Sequence, residues 1–498
     1  LPHRFPHVRI GADGSVDTRG GGEPALNPLY QAWVRQVDID ALLETSDLEQ
    51  GRLESLLNCD VIDRILRDSL NYPGPPQPRD YVRRPFKLRF TLGNLRGVPY
   101  RIDFLGTRQV SEEAMIEHAD YQEFLVGRDG DGNLAPGGLE AVSISDAQGW
   151  QSLGTAALAS GAFPLFLRPR LIRRDAADYA ARHFMQASGP SEQPRPIEPA
   201  WREPGLGPQP YAFASVDGGV FNNEPFELAH EVIAGGPGKA NAGQAELAEA
   251  AVLMLDPFMG IPGDGTPPHT AKDAAGADRL LLPPEAQLMP LVYAWIMQSR
   301  FKPADLALAY DETVYSRFLI APYGSKSPDQ APYWIASGAL GGFLGFFHED
   351  FRKHNYQLGR RNCQQFLREH FTLPDNNVVM QAGYAALRGQ PQLMDGFRSQ
   401  DGQLQIIPLL EALRPDEGLM DWPAGRFQVE QVMPRVAQRL DAVFAYYRDR
   451  IAADATGNGL LRWVCRLGLS AIWKLTGRRQ LCGRIAAMLQ QARAAQQL

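Results

Sequence analysis

Residues 211–229 read YAFASVDGGVFNNEPFELA, and the triplet Asp217, Gly218 and Gly219 constrains the fold more than any other stretch. Tyr211 to Val216 alternates in the manner of a strand, and Asn223-Glu224-Pro225 writes a helix start. An aspartate at a strand exit, with no bulky neighbour after it, is where an α/β enzyme places a carboxylate that it uses. The glycines are expected to let the backbone turn through positive φ and to let a second group come close. An ordinary strand–turn–helix corner would use the same triplet, so on its own it leaves both readings open.

The longer pattern narrows them. Asp-Gly-Gly is followed by three residues, Asn223, one residue and Pro225, and ALASGAFP lies about fifty residues upstream at 157–164. In this order the two segments resemble the motifs of the bacterial patatin-like phospholipases. That resemblance implies a lipid acyl hydrolase of the phospholipase A or lysophospholipase type, working with a Ser-Asp dyad. Asp217 would be its catalytic aspartate, and Gly218 and Gly219 would border the substrate. The implied fold is α/β, a mostly parallel sheet flanked by helices. It implies no cofactor and no metal.

The nucleophile is not in the chain. Patatins carry it on a Gly-x-Ser-x-Gly elbow, and no such pentapeptide occurs in the 498 residues. The Gly20–Gly22 triplet is followed by Glu23 and Pro24, without the arginine of an oxyanion loop, and reads as a solvated loop. The sequence opens on Leu1 and reaches its first clear helix at Asn27-Pro28, so the expectation is that the first strand and elbow lie outside it. A second chain or a missing segment would then carry the serine. Ser160, Ser325 and Ser327 lack the glycine-flanked turn and are poor substitutes. The rival expectation is a catalytically inactive lipid-binding or membrane-associated scaffold that keeps the fold.

A chain of this length needs more than one core. The resemblance and the helical character after about residue 286 suggest a patatin-like domain over 1–300, a helical extension over 301–459, and basic amphipathic helices over 460–498. Four scattered cysteines with no Cys-x-x-Cys pair argue against a zinc site or a disulfide framework and for a cytoplasmic compartment. His348 and His354, six apart, fall on opposite sides of a helix and make a poor metal pair, while His118 and His230 read as solvent-facing or capping. Cys363 reads as a small packed residue.

Several elements are expected besides these. Residues 86–92 alternate as a strand, 94–97 should turn into a second strand, 150–163 should be a small-residue helix, and 251–255 a fully apolar strand. Loops are expected at 186–210, 235–243 and 260–284, the first two flanking the Asp217 unit, as lids over the site or as surface insertions. The glycines of SGALGGFLG, spaced about four apart from Gly338 to Gly345, should give a flat helix face without the Gly-Lys-Ser/Thr of a phosphate loop.

Charge is distributed unevenly. The net charge is −7, yet residues 460–498 hold seven basic side chains and no acid, leaving −14 on the rest. That asymmetry argues against nucleic acid as a partner and for a localised anionic one. LLRWVCRLGLSAIWKL spaces Arg462, Arg466, Ser470 and Lys474 four apart on an otherwise apolar helix. Such a helix suits a peripheral contact with an anionic membrane surface, or, alternatively, packing against the acidic body.

Overall fold

The computed structural model describes residues 30–70 except 50, 86–101, 114–126, 140–142, 147–179, 210–234, 244–257, 339–409 except 388, and 422–494 except 456. Short pieces at 9–10, 16–17, 184–186, 195–197, 199–201, 270–272, 278–280, 318–320 and 335–336, and parts of 291–300, complete the description. Asn27, Pro28, the Gly20–Gly22 triplet, Ser325, Ser327 and most of the three expected loops lie outside the described residues.

The central element is a five-stranded sheet. Its strands are β1 (Phe86–Arg101), β2 (Ala114–Val126), β3 (Glu140–Val142), β4 (Arg170–Asp175) and β5 (Pro210–Asp217), in the spatial order β3-β2-β1-β5-β4. β1 runs antiparallel to both β2 and β5, and β4 antiparallel to β5, while only β2 and β3 are parallel. The fold is therefore mixed α/β, but the expected mostly parallel sheet is overturned. Residues 86–101 are one long strand and not two. Asn94 Oδ1 accepts the N–H groups of Arg96 and Gly97 at 3.0 and 2.9 Å, and Gly97 takes φ +76°. The turn signal thus becomes a bulge, after which β1 continues along β2.

Helices cover both faces. α1 (Asp60–Leu70) and α2 (Ala147–Ser160) lie towards the side where Leu88, Phe90 and Leu92 point. Ala156 and Ala159 are fully buried, and a side chain at Gly154 would meet Leu70 Cδ1 at 2.9 Å, so small residues set how closely α2 approaches its neighbours. α2 stops at Ser160, short of the expected 163, and Leu165 then takes a left-handed φ of +69°. α3 (Phe226–Ala234) lies towards the opposite face, where Arg89 Nη1 donates to the Leu228 carbonyl at 2.7 Å.

Behind the sheet sits a buried polar network that the sequence reading missed. Asp120 accepts from Asn94 Nδ2 at 3.0 Å, Tyr179 Oη at 2.7 Å and Arg174 Nη1 at 3.1 Å, and Tyr211 Oη donates to the Gly97 carbonyl at 2.7 Å. Asn94, Tyr179 and Arg174 are each more than twenty residues away from Asp120 in sequence. The network ties the bulge of β1 to β2, β4 and β5.

Residues 253–255 form β6 (Leu253–Leu255), which pairs in parallel with β7 (Phe318–Ile320), outside the five-stranded sheet. The apolar strand expected over 251–255 is present at 253–255, with Leu253 and Leu255 substantially exposed. The glycine-rich stretch forms a 3-10 helix, Ala339–Phe347, and not a flat α-helical face. α4 (Glu349–Glu369) and α5 (Val429–Ala455) follow, then α6 (Gly459–Ile472), a π-helical turn (Trp473–Gly477) and α7 (Arg478–Ala494). One apolar core joins Ile39, Leu42, Leu57 and Val61 to Leu344, Phe351, Val432 and Leu489, so it spans the boundary expected near residue 300. Buried Arg439 of α5 reaches back to Asp47, with Nη2 on Oδ2 at 2.8 Å.

Candidate functional site

Asp217 ends β5, opposite Leu92 of β1, at the point where the strand gives way to a short 3-10 turn over Gly218–Val220. Its backbone N–H donates to the Ala162 carbonyl at 2.9 Å, which brings the Asp-Gly-Gly and ALASGAFP segments into direct contact. Its carboxylate Oδ1 accepts the Gly219 N–H at 2.8 Å. Oδ2 has no hydrogen-bond partner among the described residues. Burial pushes this carboxyl above its ordinary value, opposed by the Gly219 N–H.

The glycines are required for space and not for positive φ. Neither Gly218 nor Gly219 takes a left-handed conformation. A Cβ on Gly218 would lie 2.3 Å from the Thr91 carbonyl carbon and oxygen of β1. A Cβ on Gly219 would lie 2.5 Å from Asn223 Oδ1 and 3.1 Å from Asp217 Oδ1. The expectation of close approach is met, while that of a positive-φ turn is corrected.

The loop is clamped from a segment whose role the sequence did not signal. Ser299 Oγ donates to the Gly219 carbonyl at 2.8 Å. Next to it, buried Arg300 donates from Nε to Glu224 Oε1 at 2.9 Å and from Nη2 to Asp256 Oδ2 at 2.6 Å. Burial raises the pKa of Glu224, with Arg300 opposing. The Asp256-Pro257 end of an apolar strand was visible in sequence, but nothing near Arg300 marks it as the cation that joins Glu224 to Asp256.

The side of the loop is aromatic. Phe221 stacks on His118 with ring centres 5.9 Å apart and meets Trp295 edge-on at 6.0 Å. His118 Nδ1 lies 2.7 Å from the Asn94 carbonyl, so it is part of the bulge and not a solvent-facing side chain. His230 is buried against Phe226, which corrects the same expectation there. His348 does cap a helix, its Nδ1 accepting the Asp350 N–H at 3.1 Å. Cys363 is exposed and not packed. No cluster of residues suited to a metal occurs among the described residues. Ser160 is the last residue of α2, half-buried, two residues before Ala162. Leu165, left-handed and exposed, is held by its carbonyl accepting the Leu56 N–H at 2.8 Å.

The chain is 34% identical to the "Uncharacterized protein y4iI" of Sinorhizobium fredii, in an alignment covering 98% of this chain and 70% of that protein. The chain belongs to the family of that protein. No family model matches it, and no solved structure matches it. The family's rhizobial member is longer than the aligned region.

Proposed function

We propose that the complete protein is a lipid acyl hydrolase of patatin-like type in which Asp217 is the carboxylate partner of a serine supplied from outside this chain, by another segment or another chain. The observation that carries this reading is the bond from the Asp217 N–H to the Ala162 carbonyl. It sets the two segments that resemble patatin motifs side by side, with the carboxylate at the end of a strand. A carboxyl raised by burial, fixed through Oδ1 and with Oδ2 unengaged among the described residues, suits a group that takes a proton from a hydroxyl.

In this reading the serine Oγ attacks the ester carbonyl while Asp217 accepts the serine proton. Backbone N–H groups hold the tetrahedral oxyanion. Collapse expels the alcohol, which takes up that proton; water then attacks the acyl-serine while Asp217 accepts its proton, and a second collapse breaks the acyl–Oγ bond, returns that proton to the serine and releases the fatty acid. No step calls for a metal or a cofactor. The glycines keep the space beside the carboxylate clear, and the clamp through Ser299 and Arg300 holds the loop.

The absence of a Gly-x-Ser-x-Gly sequence from these 498 residues favours a second reading, an inactive lipid-binding scaffold with the same fold. Release of fatty acid from labelled phospholipids and of nitrophenol from p-nitrophenyl esters by the complete protein separates the two. Turnover abolished by Asp217→Asn supports the hydrolase. No turnover in a folded, complete protein leaves the scaffold.

A further inference from the structure

α6 is mounted with its apolar side outwards. Arg466 and Ser470 of its polar stripe face α5: Arg466 pairs with Asp449 at 3.2 Å and Ser470 Oγ lies 3.3 Å from Arg448 Nη1, while Trp473 Nε1, in the turn that follows α6, donates to Asp441 Oδ1 at 2.8 Å. Trp473 also stacks flat on Phe444 with ring centres 4.6 Å apart, and Arg478 adds a second contact to Asp441 at 3.0 Å. The other side carries Leu460, Val464, Leu467 and Leu475 at helical spacing, flanked by Trp463 and Ile472, and all six are between 49% and 78% exposed. The element is not loosely attached, because Leu489 of α7 is 1% exposed in the main core.

An amphipathic helix normally turns this side inwards. Six large apolar side chains left outside on α6 and the turn that continues it exceed the scattered exposure of an ordinary surface and mark an interaction face. The charge around it selects the occupant. Residues 460–498 contain no acid, and Lys474, Arg479 and Arg484 are exposed at the far end of the face. Arg479 and Arg484 line an open groove with Leu475 and Thr476. Apolar side chains with a tryptophan, on a segment whose own charged residues are all cations, match the boundary between headgroups and acyl chains of an anionic bilayer.

We propose that the outer face of α6, with Lys474, Arg479 and Arg484, docks the protein onto an anionic phospholipid membrane. No helix among the described residues is long and apolar enough to cross a membrane, so the contact is one of lying on the surface. The proposal does not depend on acyl hydrolysis and applies equally to an inactive scaffold.

The test is co-sedimentation of the chain, and of the complete protein, with vesicles of phosphatidylcholine alone or containing about 30% phosphatidylglycerol, enough anionic lipid to give a negative surface potential. Binding to the anionic vesicles only, weakened by added salt, is expected. Val464→Glu with Leu467→Glu should abolish it. Arg479→Gln with Arg484→Gln, which leaves the apolar face intact, should weaken it about thirtyfold, from roughly fivefold per basic residue at an anionic surface. All four positions are exposed, and unfolding curves check that the variants remain folded. Anionic binding that neither variant changes would overturn the proposal, as would equal binding to both vesicle types. So would a dimer in light scattering that only the glutamate variant dissociates, since a second copy then covers the face. Binding by the chain but not by the complete protein would also overturn it, showing that another part of the protein occupies the face.

Discussion

The backbone N–H of Asp217 donates to the carbonyl of Ala162 at 2.9 Å, joining the end of a strand to the turn that follows a helix about fifty residues earlier. The bond fixes the main chain of the aspartate from one side while Gly219 fixes its side chain from the other. Neither contact consumes Oδ2. A carboxylate held in this way can act on a group that approaches from outside the chain.

For catalysis, Asp217→Asn in the complete protein should lower ester hydrolysis about 10²–10⁴-fold, the usual contribution of proton transfer by a positioned side chain. The loss should appear in kcat, with little change in folding. Near-normal turnover by the well-folded variant would remove Asp217 from the mechanism.

The same substitution should behave differently in stability. The Asp217 carboxyl is raised by burial only when the chain is folded, so its stabilising contribution is fully present below the ordinary value of 3.8 and is lost as pH rises through the raised value. The asparagine side chain of the Asp217→Asn variant would keep an oxygen for the Gly219 N–H and has no proton to lose. Ionising a half-buried group therefore costs the parent stability and leaves the variant untouched. The stability of Asp217→Asn relative to the parent should grow as pH rises from about 4 and then level off. Urea unfolding at a series of pH values reads this directly, and a difference that does not vary with pH would contradict it.

Gly218→Ala should destabilise the fold, because its Cβ would sit 2.3 Å from main-chain atoms of Thr91 that cannot move aside without disturbing β1. About 1–3 kcal/mol or more is expected for such overpacking. Gly219→Ala meets mainly the Asn223 side chain, which can rotate, so it should unfold at nearly the parent's urea midpoint while impairing turnover. Equal midpoints for both variants would show that β1 yields at Thr91.

Removing the cation of the loop clamp should be costly. The side chains of Arg300, Glu224 and Asp256 are 8%, 6% and 6% exposed, so Arg300→Met leaves two carboxylates buried without their partner. A loss of about 3–5 kcal/mol follows from breaking a buried pair on one side. Replacing Glu224 by Gln and Asp256 by Asn in the same chain should recover part of it, which a thermal or urea unfolding series would show. A loss below about 1 kcal/mol for Arg300→Met would mean that the loop does not depend on this clamp.

The fold was legible wherever the cause is local. The strand ending at Asp217 was readable because alternation and a turn need only neighbouring residues, and α2 was readable to within three residues from its run of small side chains. The bulge in β1 was not. Asn94-Leu95-Arg96-Gly97 carries the signal of a turn, and it takes Asp120, His118 and Tyr211, brought from β2 and β5, to hold the chain in a bulge instead. Strand direction failed for a related reason. Alternating strand and helix signals suggested parallel pairing, whereas the register of Leu92 against Asp217 is a contact between residues far apart in sequence.

By itself, the sequence determined the carboxylate, the two glycines beside it, the helix start after them and the basic, apolar character of residues 460–475. Tertiary structure decided the rest: that β1 and β5 meet antiparallel, that Gly218 is small to clear Thr91, that Arg300 holds Glu224 and Asp256, and that Arg466 and Ser470 of α6 face α5. The physical reason is the range of the interactions. Side-chain period and turn chemistry act over a few residues and are written consecutively. Which backbone crowds a glycine, and which acid awaits an arginine, depend on segments that only folding brings together.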